Sequence, residues 1–272
     1  MKLRPNIFFG LILFLISCEE KTDWDIQPGN MNTLVVEAII TNEYKQQLIK
    51  LSKPYPDLNG QAVKVSGAEV TISFENQLIK FVESADIHGS YFSEIPMGGS
   101  IDITNLLNIQ FEGKNYTAEA MMVPVIPSWP LQIIPVEDTL REIEWTAPGY
   151  NPDDLAMYEV IISWTHLTDT TLSDTLTQAR MLYYTLNTID VAYVVFPQDK
   201  EEVLFPPGSI LIARKYSCTE DFAAYLRALL AETEWQGSLF EDARGNLPTN
   251  ISNGGLGYFS ACSVLADTII VE

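Results

Sequence analysis

The stretch AEVTISFENQLIKFV, Ala68–Val82, decides the fold. Val70, Ile72 and Phe74 alternate with Glu69, Thr71 and Ser73, a period of two that gives an extended strand one apolar and one polar face. Glu75-Asn76-Gln77 interrupts the alternation with turn-forming residues, and Leu78 to Val82 returns as a second strand, so the segment predicts a β-hairpin.

The same grammar extends in both directions. Leu34 to Ile40 is a β-branched run, and Ile49 and Leu51 fall on one face of a strand that Pro54 and Pro56 end. Gly89-Ser90-Tyr91-Phe92 opens another strand, and Ile109 to Met122 contains a turn flanked by strand formers. Ile101 to Asn108 reads as a single helical turn at most. These elements predict an N-terminal β-sandwich over 33–123. Pro124, Pro127, Pro130 and Pro135 then deny backbone donors to a central strand, and 124–136 reads as a Pro-rich linker. Beyond it, Ile143-Glu144-Trp145, Tyr158 to Trp164, Met181 to Phe196, Ser209 to Tyr216 and a final Thr268 to Val271 continue the β pattern. A Trp on one strand with Tyr158 opening the next resembles fibronectin type III modules. One helix interrupts the pattern at about 219–233. Thr219 is its N-cap, Glu220 and Asp221 suit its N-terminus, and Phe222, Tyr225, Leu226, Leu229 and Leu230 form its apolar stripe, with Gly237 as the stop. The expectation is a mostly β chain of two tandem sandwich-like domains, immunoglobulin or fibronectin III in style. The second, 137–272, carries one amphipathic helix near the C-terminus.

The N-terminus carries an address. Lys2 and Arg4 precede an apolar run from Ile7 to Ile16, whose ten residues rise about 15 Å as a helix, half of a bilayer core. Residues 1–17 therefore read as a signal peptide rather than a permanent span. Leu15-Ile16-Ser17-Cys18 resembles a bacterial lipobox, which makes Cys18 the acylated N-terminus of the mature chain; the alternative is an ordinary secretory signal with an incidental Cys. Glu19, Glu20 and Asp23 open an acidic tether over 18–32, similar to the surface-export signal of Bacteroidota lipoproteins. A periplasm-facing anchor is the alternative location.

Several of these segments are similar to one family. The lipobox, Leu34-Val35-Val36-Glu37-Ala38-Ile39-Ile40-Thr41, Lys50-Leu51-Ser52, Gly67-Ala68-Glu69-Val70, Gly113-Lys114-Asn115-Tyr116-Thr117, Gly237-Ser238-Leu239-Phe240, Asn250-Ile251 and Gly255-Leu256-Gly257-Tyr258-Phe259-Ser260 resemble a Bacteroidota lipoprotein family catalogued as a domain of unknown function. The resemblance covers nearly all of the mature chain. It implies an accessory role beside TonB-dependent outer-membrane receptors and supplies no catalytic residues.

Composition narrows the functional classes. With 16 Lys and Arg against 36 Asp and Glu the formal charge is −20, which argues against nucleic acid as a partner. Cys218 and Cys262 are either a disulfide, worth about 4 kcal/mol over a loop of this length, or two buried thiols. With His88 and His166 they make no close ligand pair, so neither a metal site nor a cofactor is expected. Neither histidine sits in a catalytic motif, and carboxylate pairs such as Glu142 with Glu144 are expected by chance in so acidic a chain. No catalytic residue is assigned. Trp129 and Trp235, next to breaks in the pattern, are the candidate ligand contacts. Asp138-Thr139-Leu140, Asp169-Thr170-Thr171, Asp174-Thr175-Leu176 and Asp267-Thr268-Ile269 resemble O-glycosylation acceptors. The expectation is a non-enzymatic, lipid-anchored outer-membrane surface protein that serves a β-barrel receptor. The alternatives are glycan or peptide capture, or a structural subunit of a surface polymer with Thr268 to Val271 as a donor strand.

Overall fold

Glu75 and Asn76 both adopt left-handed φ, 46° and 64°, and this two-residue connection twists in the sense that lets two antiparallel strands continue into each other. The hairpin it closes belongs to a nine-stranded sheet in a computed structural model that describes residues 32–54, 61–129, 131–137, 139–145, 151, 153–167, 177–186, 203–233 and 247–272. The strands are β1 (Val35–Thr41), β2 (Leu48–Lys53), β3 (Val63–Lys64), β4 (Glu69–Phe74), β5 (Gln77–Glu83), β6 (Ser90–Ser93), β7 (Thr104–Phe111), β8 (Lys114–Met121) and, from much later in the chain, β14 (Leu256–Cys262). They follow the order β14-β1-β2-β6-β5-β4-β7-β8, with β3 paired to β2. The inward residues read from alternation, Ile49, Leu51, Val70, Ile72 and Phe74, are buried in one core, together with Val36, Ala38, Ile40, Ile79 and Phe81.

The first sheet is a nearly closed barrel, not half of a tandem sandwich. Its end strands, β8 and β14, come together without a ladder between them. Segment 249–253 fills the seam with side chains. Asn250 Nδ2 donates to Glu119 O and Phe259 O, Asn250 Oδ1 accepts from Phe259 N, and Ser252 Oγ accepts from Thr117 N. Ser252 N donates in turn to Thr117 O, and Asn253 Nδ2 to Asn115 O. Alternating strands satisfy a barrel and a sandwich equally well, so the hydrophobic pattern could not separate them. The difference lies in β14, which pairs in parallel with β1 from Val35↔Leu256 to Thr41↔Cys262. Gly257 makes that approach possible. At φ 82°, a Cβ there would stand 2.0 Å from Val36 O.

Ile101 to Asn108, expected as a helical turn, is mostly β7. Asp102, at φ 62°, turns the chain, after which Asn105, Leu107 and Ile109 alternate inward. Asn105 Nδ2 donates to Ile103 O and Ala120 O, while its Oδ1 is buried without a hydrogen-bond partner among the described residues.

The segment expected as a linker also carries structure. β9 (Leu131–Glu137) pairs with β10 (Leu140–Trp145) as a two-stranded sheet with an irregularity at Leu140/Arg141, the kind of setting in which Pro135 costs no central ladder bond. Leu131, Ile133 and Ile143 pack onto a four-stranded antiparallel sheet of β11 (Ala156–Ser163), β12 (Gln178–Thr185), β13 (Ile210–Ser217) and β15 (Val264–Ile270), in the order β12-β11-β13-β15. Val160, Ile162 and Trp164 are buried together, as their spacing predicts. The helix α1 (Glu220–Thr233) follows β13, and Thr219 Oγ1 accepts from Phe222 N in the cap that the sequence suggests. Its expected stop, Gly237, lies outside the described residues.

Ser263 joins β14 to β15, so a single bent strand crosses from the barrel to the second sheet. The stretch expected to form a separate 137–272 domain therefore completes the first sheet, and Asn32–Glu272 behaves as one compact unit. Replacing Gly257 by Ala is expected to cost 3 kcal/mol or more by wedging β14 from β1, whereas Asn250→Ala loses about 2 kcal/mol of seam hydrogen bonding. Urea unfolding of the two variants beside the parent measures both, and equal midpoints for all three would contradict this account of closure.

Candidate functional site

The sequence Arg214-Lys215-Tyr216-Ser217-Cys218 runs along β13 where the barrel meets the second sheet, and strand alternation sends its side chains to opposite faces. On one face lies Lys215, fully buried. Its ammonium donates to Asp154 Oδ1 at 2.7 Å, Ser128 Oγ at 2.7 Å and Ser128 O at 3.3 Å, so all three protons are used. Ser128 Oγ donates onward to Asp154 Oδ2 at 2.8 Å, and the ammonium lies 5.3 Å from the Tyr158 ring centre. Burial pushes the Tyr158 phenol up to about 12.

The other face carries Glu159, on β11 opposite Arg214. Burial alone would raise its carboxyl. Hydrogen bonds from Arg180 Nε at 2.7 Å and Tyr216 Oη at 3.0 Å, with the charges of Arg180 and Arg214, outweigh that and hold it below its ordinary value. Burial, then the Glu159 charge, drives the Tyr216 phenol upward. Arg214 reaches 3.6 Å from Glu43 Oε1, in the turn after β1, so the network ties the second sheet to the barrel. Beneath it Val123 O accepts from Ser217 Oγ and Ser263 Oγ, each at 2.7 Å.

Cys218 and Cys262 both lie in this junction, buried in one cluster with Leu155, Phe222 and Leu226. They are free thiols, so of the two sequence readings the structure has the buried pair and not the disulfide. Burial raises both thiols, Cys262 to about 12, which leaves them protonated and poor nucleophiles.

Trp129 is half-buried and meets Tyr158 edge-on, ring centres 6.3 Å apart, as a packing residue beside Lys215. Trp235 and Cys18 lie outside the described residues. His88 is exposed, 3.6 Å from Glu83, and His166 Nε2 lies 3.1 Å from Gly208 O on the surface of the second sheet. Glu83 accepts from Gly89 N, Ser66 Oγ and Gly67 N, and these bonds, Gly89 first, bring it down to about 2. Among the described residues there is no group of three His, Cys, Asp or Glu arranged to hold a metal ion, and no helix long and apolar enough to cross a membrane. Of the four acceptor-like triplets, Asp267-Thr268-Ile269 is the one wholly within the described residues, in β15 rather than in a loop.

The sequence reading missed the Lys215 and Glu159 networks. Parity was the available signal. Lys215 shares its face with Leu211 and Ala213, both buried, so a cation was being sent inward.

A nearly closed barrel joined to a second sheet through a junction of buried, paired charges defines a β-rich protein. A family model described as "Domain of unknown function (DUF4249)" matches residues 19–268, and the chain belongs to that family. No curated protein matches it.

Lys215→Met leaves Asp154 without its counter-charge and is expected to cost about 3–5 kcal/mol, while Lys215→Met with Asp154→Leu recovers most of that loss. Chemical denaturation of both variants distinguishes this from simple loss of packing, which the double variant would not repair. Because Glu83 and Glu159 titrate lower in the folded chain than in the unfolded one, their stabilisation is complete above the ordinary carboxylate range. It is lost as pH falls, for Glu83 between about 4.5 and about 2. Glu83→Gln should flatten the acid limb of a stability-versus-pH profile; an unchanged limb would contradict that assignment.

Proposed function

We propose that the protein is a surface-exposed, lipid-anchored component of a Bacteroidota outer membrane. It acts without catalysis as a binding or accessory partner of a TonB-dependent β-barrel transport system. The observation that carries this reading is the N-terminal sequence: a short apolar run, the Leu15-Ile16-Ser17-Cys18 lipobox and an acidic tether. Cys18 holds the lipid, and the tether gives the folded unit reach from the membrane.

The junction supports a binding role over a catalytic one. Lys215 and Glu159, the buried charged residues among those described, direct their hydrogen bonds to protein groups, and the buried thiols are held neutral. The Lys215 ammonium directs its three protons to Asp154 and Ser128 and presents none to a ligand. Its contacts instead fasten the proline-rich stretch at Ser128 to the second sheet, a structural role.

The test is affinity capture of the acylated protein from its native outer membrane in mild detergent, beside a Cys18→Ala variant. Stoichiometric recovery of a β-barrel receptor with the parent and its loss with the variant is the expected result. Recovery of the lipoprotein alone from both would overturn the accessory role.

A further inference from the structure

The final strand, considered from sequence as a donor to a neighbouring subunit, is held at both ends. Ser217 N donates to Ser263 O at its start; at its finish Val271 N donates to Ser209 O and Gly208 N to Val271 O, with Val271 buried. All seven residues of β15 pair with β13. What β15 leaves open is its other edge, since it ends the order β12-β11-β13-β15.

Three features of that edge coincide. First, the ladder alternates. The bonds of Val271 point inward, so the N–H and C=O groups of Ala266, Thr268 and Ile270 point outward. Side chains already cap two of the outward N–H groups: Asn42 Oδ1 accepts from Val264 N and Asp267 Oδ1 from Thr268 N, both at 2.8 Å. Second, Ala266 to Ile270 are exposed throughout, and Ile269 and Ile270, on opposite faces, are 38% and 70% exposed. Third, Ile270 continues an apolar area on its face, standing beside Ile210, with Ile212 and Ile161 in the next register row, all three half-buried.

We propose that the β15 edge accepts an extended strand from a partner protein, one with apolar side chains on both faces and a lysine or arginine beside Asp267. A helix or a sheet laid on one face would cover Ile270 and leave Ile269 and the backbone edge in water. A strand added in plane covers both isoleucines and satisfies the outward backbone groups together. Charge selects the partner's chemistry. Asp267 is the one ionised side chain of β15, and the chain as a whole carries −20. A basic residue in the incoming strand takes the Asp267 carboxylate and releases Thr268 N–H to the new ladder. Until then the same carboxylate guards the edge against indiscriminate pairing. The proposal rests on the binding reading above and specifies its surface.

The probe is a synthetic peptide with the sequence of Ile210–Ser217, which has an apolar run that presents side chains on both faces and two adjacent basic residues, added to the full chain. The readout is amide hydrogen exchange. The expected result is saturable slowing, about tenfold or more, at Ala266 and Ile270, lost in Ile270→Lys and in Thr268→Pro, and absent with a peptide whose two basic residues are replaced by Glu. Thr268→Pro removes an outward donor and no ladder bond; should it fail to fold, Ile270→Lys, at an exposed position, carries the test. Unchanged exchange, or equal slowing with the acidic peptide, overturns the proposal. So does concentration-dependent slowing without peptide that disappears in Ile270→Lys, because the occupant is then a second copy of this chain. The peptide assay does not depend on the anchor, so its failure leaves the membrane capture experiment informative, and failure of the capture does not alter the peptide result.

Discussion

The parallel pairing of β14 with β1 is the constraint on which the rest of the structure depends. It brings positions more than two hundred residues apart into register, from Val35↔Leu256 to Thr41↔Cys262. With it in place the first sheet curls far enough for β8 to approach β14, and the Asn250 to Asn253 segment fills the remaining gap. The same strand continues through Ser263 into the second sheet, so barrel closure and the position of the second sheet are one geometric decision. Gly257 permits that decision, because any side chain there would collide with Val36 O.

Around this strand the protein solves a charge problem. Lys215 and Glu159 occupy positions whose parity sends them toward protein rather than water, and isolated buried charges are costly. Each is met by groups from other elements: Asp154 and Ser128 for the lysine, Arg180, Arg214 and Tyr216 for the glutamate. The glutamate's partners stand on the neighbouring strands β12 and β13, whereas the lysine's come from segments outside the second sheet's strands, Asp154 and the proline-rich stretch at Ser128. The result is a junction held by directional bonds, which specify orientation more sharply than apolar contact does.

Legibility in the sequence followed the range of the physics. Strands whose faces differ in polarity, such as Glu69–Phe74 and Ala156–Ser163, and a helix with a Thr219 cap and a leucine stripe, announce themselves within a dozen residues. The barrel did not, because alternation tells each residue whether to face inward and says nothing about which strands meet at the seam. The proline cluster pointed to a linker because proline is excluded from central ladders, yet β9 has a single partner strand and tolerates Pro135. At the junction, adjacent basic residues in β13 look like a solvated pair; the parity shared with Leu211 and Ala213 separates Lys215 from Arg214, and that distinction becomes decisive only once the face that carries Leu211 and Ala213 is known to be covered.

The late arrival of β14 also bears on how the chain matures. A polypeptide emerges from its N-terminus, so the eight earlier strands of the first sheet are complete while the strand that closes them is still to come. Until then the lateral edge of β1 that β14 will occupy stays open, and contacts of such long range are the slow ones to form. The stretch from Asn250 through β15 thus acts as a timer. The barrel reaches its native form once β14 is delivered, and a chain stopped short of it keeps both sheets unfinished and within reach of the machinery that handles incomplete proteins.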